Sequence, residues 1–119
     1  MAVKRIRQVY VVAEDIDSAA AFYTDGLGLQ LQFRDGDRWV QYGGGDVSFG
    51  VASIEESGGA TPGSSVPVFE VDDIAAQIAT ATAAGATLVS SRDMDRHGQM
   101  ATLTEPSGAL IALIQRTVS

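Results

Sequence analysis

Three side chains in this sequence are candidates for moving protons: Tyr10, Glu70 and His97. His97 is the single histidine and sits in a polar stretch, Arg-Asp-Met-Asp-Arg-His-Gly-Gln-Met, with Asp93 and Asp95 close in sequence. Acidic neighbours raise an imidazole pKa and suit it to general-base work, although the same stretch reads equally as an exposed loop. Glu70 closes an alternating apolar run. There it is a cation ligand, a general base if burial raises its pKa, or a solvated strand end. Tyr10 shares strand parity with Gln8, so one face offers a phenol and an amide side by side. Cysteine is absent, which removes disulfides, thiolate metal sites and thiol nucleophiles. One histidine cannot build a two-histidine metal site, and no Ser-His-Asp order or P-loop occurs. The glycine run 43–45 precedes a strand rather than a helix, so it is no phosphate cradle.

The elements that position these residues form one pattern written twice. The stretch 9–33 runs strand, acidic-Ile pair, Ala-rich helix, Gly turn, strand, and the stretch 66–90 repeats it. Alternation predicts strands at 6–12, 29–34, 38–42 and 46–52, then at 66–71, 86–90, 99–104 and 109–115. Asp17 and Ser18 are placed to cap the first helix, which packs through Ala19, Ala20, Phe22 and Tyr23, and Asp15 reads as a cap rather than an acid. Asp72 or Asp73 caps a second helix that Gly85 stops. Glu105-Pro106-Ser107-Gly108 reads as a turn. The order is βαβββ twice, an α+β architecture, because successive strands argue against a doubly wound sheet. The 119 residues form a single domain with half-modules at about 1–53 and 66–119 and a Gly/Ser-rich linker at 54–65.

Composition narrows the partners. The formal charge of −7 opposes nucleic-acid binding, and Lys4, Arg5 and Arg7 read as solvated ends of the first strand. No stretch approaches the roughly 18 apolar residues of a membrane span. The opening MAVKRIRQVYVV lacks the apolar core and cleavage site of a signal peptide. With no cysteine, these features set the expectation of a cytoplasmic protein without membrane or nucleic-acid partners.

The segments AAAFYTDGLGLQL (19–31), VFEVDDIAAQIATATAAGATLV (68–89) and GQMATLTEPSGALIALIQ (98–115) carry a resemblance. They resemble the vicinal oxygen chelate superfamily of glyoxalase, bleomycin-resistance and extradiol dioxygenase proteins, with Glu105 where that family's turn usually has Asp. The resemblance covers nearly the whole chain. It implies two βαβββ modules forming a curled mixed sheet around a cup-shaped cavity, and a homodimer. It also implies where a divalent ion would be held: at Gln8, at Gly50, at Val66 and at Ala112. Of these only Gln8 has a polar side chain, so no metal and no cofactor is expected.

The expected site is therefore an organic-ligand pocket lined by Gln8, Tyr10, Trp39, Tyr42, Gly50, Val66, Val68 and Ala112. Trp39 and Tyr42 fall on opposite strand faces, so only one of them can line it. The expected function is metal-independent binding of a small molecule, such as an antibiotic or a hydrophobic metabolite. The alternatives are an acid–base isomerase, cyclase or lyase using Tyr10, Glu70 and His97, or a glyoxalase-like or dioxygenase-like metalloenzyme.

Overall fold

The computed structural model describes residues 3–43 and 45–117, so Gly44 of the glycine run lies outside the described residues. The elements follow the anticipated order. They are β1 (Val3–Ala13), α1 (Ile16–Ala21), β2 (Gln30–Asp35), β3 (Trp39–Gly43), β4 (Ser48–Ser53), β5 (Ser65–Val71), α2 (Ile74–Ala83), β6 (Thr87–Asp93), β7 (Gln99–Thr104) and β8 (Leu110–Gln115). The fold is mixed α+β, with two βαβββ modules, as the repeat predicts. Two compact units divide it: one is Gln8–Val66, the other joins the chain through Arg7 to the chain from Pro67 onward. The first residues of β1 group with the second module.

In the Gln8–Val66 unit the strands run β2-β3-β4-β1, with β1 and β4 parallel and the others antiparallel. The α1 helix begins at Asp15, not Asp17, because the Asp15 carboxylate accepts from the Ser18 backbone N–H (3.2 Å) and hydroxyl (2.9 Å). Ile16 and Ala20 bury against Val40, Tyr42 and Val51. A π-helical turn over Phe22–Gly26 then adds a residue per turn and rotates the face that follows. Tyr23 therefore packs edge-on against Phe49 (4.8 Å between centroids), whereas Phe22, expected in the core, is 55% exposed.

The segment 54–65 is no loose linker. Ser57 is buried; its hydroxyl donates to the Ile54 carbonyl (2.6 Å) and accepts from the Ala60 N–H (3.0 Å). The segment then returns to β1, where Val12 N–H donates to the Ser64 carbonyl (2.9 Å).

The other unit runs β5-β8-β7-β6, with β5 and β8 parallel. Asp73 caps α2 by accepting from the Ala76 N–H (3.1 Å). Ile74 packs on Val71, Ala101, Leu103 and Leu113, which form that unit's core. The Glu105 carboxylate accepts from the Ser107 and Ala109 N–H groups, so the turn before β8 is tied by its own acid. The Ser107 hydroxyl donates to the same oxygen, and these bonds hold the carboxyl below its ordinary pKa. Each unit's outermost strand, β2 or β6, carries a bulge, between Leu31 and Phe33 and between Leu88 and Ser90. Among the described residues no helix is long and apolar enough to cross a membrane.

Candidate functional site

Strand parity separates the helix-packed face of each unit from the opposite one. In the Gln8–Val66 unit, Val11, Ala13, Val40, Tyr42 and Val51 pack with α1. Gln8, Tyr10, Trp39, Gln41, Gly50 and Ala52 alternate with them onto the other face. There the Trp39 indole lies over Gly50 and meets Tyr10 edge-on, with centroids 5.5 Å apart and planes at 67°. The indole N–H donates to Gln41 Oε1 (3.2 Å), and Gln41 Nε2 donates to Gln32 Oε1 (3.0 Å). The face is thus an aromatic wall bordered by amides, with Tyr10 opposite Gly50 and Gln8 opposite Ser48 in the β1–β4 register.

Tyr42 does not line this face. It is fully buried under α1, and its hydroxyl sits 3.0 Å from the Ala20 carbonyl and 3.1 Å from Thr24 Oγ1. Its position among the ligand-binding candidates is corrected to a core position. Parity assigns it there, because β3 sends Trp39 and Tyr42 to opposite faces.

The four positions that the resemblance assigns to a metal do not fit one. A Cβ at Gly50 would overlap the Trp39 ring, so no longer side chain fits there without displacing it. Val66 and Ala112 are fully buried and carry no donor atom. Among the described residues no group of three or more His, Cys, Asp or Glu side chains is placed to hold an ion.

In the other unit, Val68 and Ala112 are direct neighbours across β5 and β8, both fully buried, and Glu70 pairs with Ile114 one step further on. Glu70 is 5% exposed and held by arginines. Arg5 Nε donates to Oε1 (3.0 Å), Arg116 Nε donates to Oε2 (3.3 Å), and Arg7 Nη1 stands 3.9 Å from Oε1. Burial by itself raises this carboxyl, but the hydrogen bonds and charges of Arg5 and Arg116 outweigh it and hold the pKa below the ordinary value. The expectation of a general base with raised pKa, or of a free cation ligand, is overturned: the acid is ionised and already paired. Arg7 is pulled below its ordinary value by partial burial and by the repulsion of Arg116 and Arg5, against the attraction of Glu70.

Arg116 also lines an open cleft of about 390 Å³ with Asp93, Asp95, Gly98, Gln99, Gln115 and Thr117. Its floor is fixed by local bonds: Asp93 Oδ1 accepts from the Asp95 N–H (2.8 Å), and Gln115 Oε1 accepts from the Ile74 N–H (2.8 Å). Gly98 has a φ of 101°, and a Cβ there would run into the Gln115 backbone, so only glycine closes this corner. His97 lies on the neighbouring 3-10 turn Asp95–His97, exposed to solvent and not among the cleft-lining residues. Tyr10 is buried beside Trp39. Arg5 and Arg7, expected as solvated strand ends, keep part of their surface exposed while reaching Glu70, and Arg116 joins them. The signal for Arg116 is its place two residues beyond Ile114, the β8 partner of Glu70; pairing of distant strands is not contained in alternation.

Comparison with known proteins shows the family and the fold. The glyoxalase-like domain matches residues 8–114. A glyoxalase/bleomycin resistance protein/dioxygenase superfamily member from Vibrio splendidus 12B01 is similar in structure, with TM-score 0.65 and 18% identity, covering 93% of this chain and 97% of that one. A methylmalonyl-CoA epimerase from Mycobacterium tuberculosis gives TM-score 0.65 at 17% identity, over 98% and 90% of the two chains. A 2,3-dioxygenase from Pseudomonas sp. KL28 gives 0.66 at 22% identity, over 99% of this chain and 42% of that one. At these identities the likeness is one of fold. No curated protein sequence matches the chain.

Proposed function

Because the chain belongs to the glyoxalase-like domain family, we propose that it uses this fold to bind a small organic molecule without a metal. The observation that carries the reading is the Trp39 indole seated over Gly50 against Tyr10, an aromatic surface at a position the family resemblance gives to a metal ligand. Aromatic walls hold planar ligands by buried area plus stacking, worth roughly 0.5–1.5 kcal/mol beyond burial. An antibiotic or a hydrophobic metabolite is the ligand class that suits such a wall. The protein acts in this reading as a cytoplasmic homodimer, checked by light scattering after gel filtration, where a monomer at micromolar concentration refutes the pairing.

Trp39 is the single tryptophan, so its emission reports on this surface directly. Titration with a panel of planar aromatic compounds is expected to change that emission and raise the melting temperature for at least one of them. A panel that changes neither, together with stoichiometric binding of a divalent ion, would falsify the reading.

A further inference from the structure

We propose that the arginines converging on Glu70, with the cleft beside Arg116, form an oxyanion-binding site for a small organic molecule bearing a carboxylate or phosphate. Charge placement is the first ground. Lys4, Arg5, Arg7 and Arg116 are four of the chain's eight basic residues, yet only Glu70 and Asp72, of fifteen acidic residues, pair with them among the described residues. Three of these basic groups, Arg5, Arg7 and Arg116, meet on the single carboxylate of Glu70.

Geometry is the second ground. One arginine in good geometry suffices to compensate one carboxylate, and Arg5 already makes that contact at 3.0 Å. Arg116 and Arg7 approach the same acid at 3.3 and 3.9 Å, so three guanidinium groups crowd around two oxygens and retain most of their N–H donors. Like charges this close repel: partial burial is the larger cause that draws Arg7 below its ordinary value, and the charges of Arg116 and Arg5 add to it. An oxyanion seated among the three relieves that repulsion and takes paired N–H donors in the fork geometry guanidinium groups favour. Glu70 then serves as a positioning residue that fixes two of the forks.

The third ground is the cleft. Arg116 turns its remaining surface to a cleft of about 390 Å³, near the lower end of the volumes that hold small ligands. Asp93 and Asp95 line it further along and would repel the anion, so the oxyanion belongs at the arginines. The two carboxylates accept hydrogen bonds from hydroxyl or amino groups on the same molecule.

This inference rests on the reading of the chain as a small-molecule binder, and the experiment separates the two. Inorganic phosphate, benzoate, phenyl phosphate and neutral benzamide are titrated while arginine Nε–Hε resonances are followed by NMR. Saturable shifts of the Arg5, Arg7 and Arg116 signals with the anions, and none with benzamide, are expected. The stronger of benzoate and phenyl phosphate identifies the oxyanion type. Arg7→Gln removes the loosest of the three contacts, so the fold should survive, and anion affinity should fall about tenfold. Unmoved arginine signals, or unchanged affinity in a folded Arg7→Gln protein, overturn the site. If Arg7→Gln does not fold, the wild-type resonances decide alone. Should neutral aromatics perturb Trp39 while the anions leave the arginines unmoved, this site falls and the binder reading stands. Should benzoate or phenyl phosphate move the arginines while no compound perturbs Trp39, this site stands and the reading of the Trp39 surface falls.

Discussion

Replacing Gly50 by alanine tests the central packing statement with one methyl group. The Cβ position lies 3.0 Å from Cε2 of Trp39 and nearer still to Cζ2 and Cη2, whereas carbon contacts settle at about 3.5–4.0 Å. β4 cannot retreat, because it is hydrogen-bonded to β1 on one side and β3 on the other. The indole must therefore move by on the order of 1 Å or more to restore such a contact. That displacement weakens the edge contact to Tyr10, worth about 0.5–1.5 kcal/mol, and the bond to Gln41, worth about 0.5–1.5 kcal/mol. Alanine returns a few tenths to about 1 kcal/mol through lower chain entropy in the strand. The expected net loss is about 1–2 kcal/mol, in line with overpacking elsewhere.

Urea unfolding followed by Trp39 emission measures both quantities, and the native emission should shift to the red as the ring leaves its seat. The control is Trp39→Ala, which removes the single tryptophan and is therefore followed by far-ultraviolet circular dichroism; in it Gly50→Ala should cost nothing or stabilise slightly, giving a coupling of at least about 1 kcal/mol. Equal costs of Gly50→Ala with and without Trp39 would refute the placement of the indole.

Further outcomes follow from the same geometry. Glu70 has a depressed pKa, so its stabilisation is complete above the unfolded carboxyl value of about 4.3 and is lost as pH falls through the lower folded value. Urea unfolding between pH 3 and 6 should show that loss, and Glu70→Gln should flatten it while costing roughly 1–3 kcal/mol near neutrality. An unchanged acid slope in the variant contradicts the pairing. Tyr42→Phe should cost about 1–2 kcal/mol by stranding the Ala20 carbonyl and Thr24 hydroxyl, and should leave ligand affinity untouched, as calorimetry will check. Ser57→Ala should cost about 1–2 kcal/mol and speed amide exchange at Ala60, since one hydroxyl holds both ends of the 54–60 turn.

The repeat carried most of the fold, because alternation and helix caps are local signals. The strands at 66–71 and 109–115 are readable from alternation, and Gly85 as a stop. Asp15 displaced Asp17 as the cap because several Asp residues competed within one turn of chain. Phe22 left the core because a π-helical turn has no compositional mark. The site divided along the same line. Gly50 and Trp39 fall on one face by parity, but that the indole covers the glycine depends on the β3–β4 register, which places Gln41 beside Gly50 and Trp39 beside Ala52. Glu70 is visible in the sequence as an acid closing an apolar strand, but its pairing is not. Its partners are 65 and 46 residues away along the chain, a separation no spacing rule spans.

The duplication also copied an irregularity. Both bulges begin three residues after a glycine, at Leu31 after Gly28 and at Leu88 after Gly85, each in the outermost strand of its unit. An edge strand with a regular row of free N–H and C=O groups is a template on which another chain can add. A bulge breaks that row and twists the strand away, so each module brings its own protection against edge-to-edge growth. Self-association of this protein is thereby steered away from strand addition and toward side-chain surfaces, which limits it to defined complexes rather than open-ended fibres.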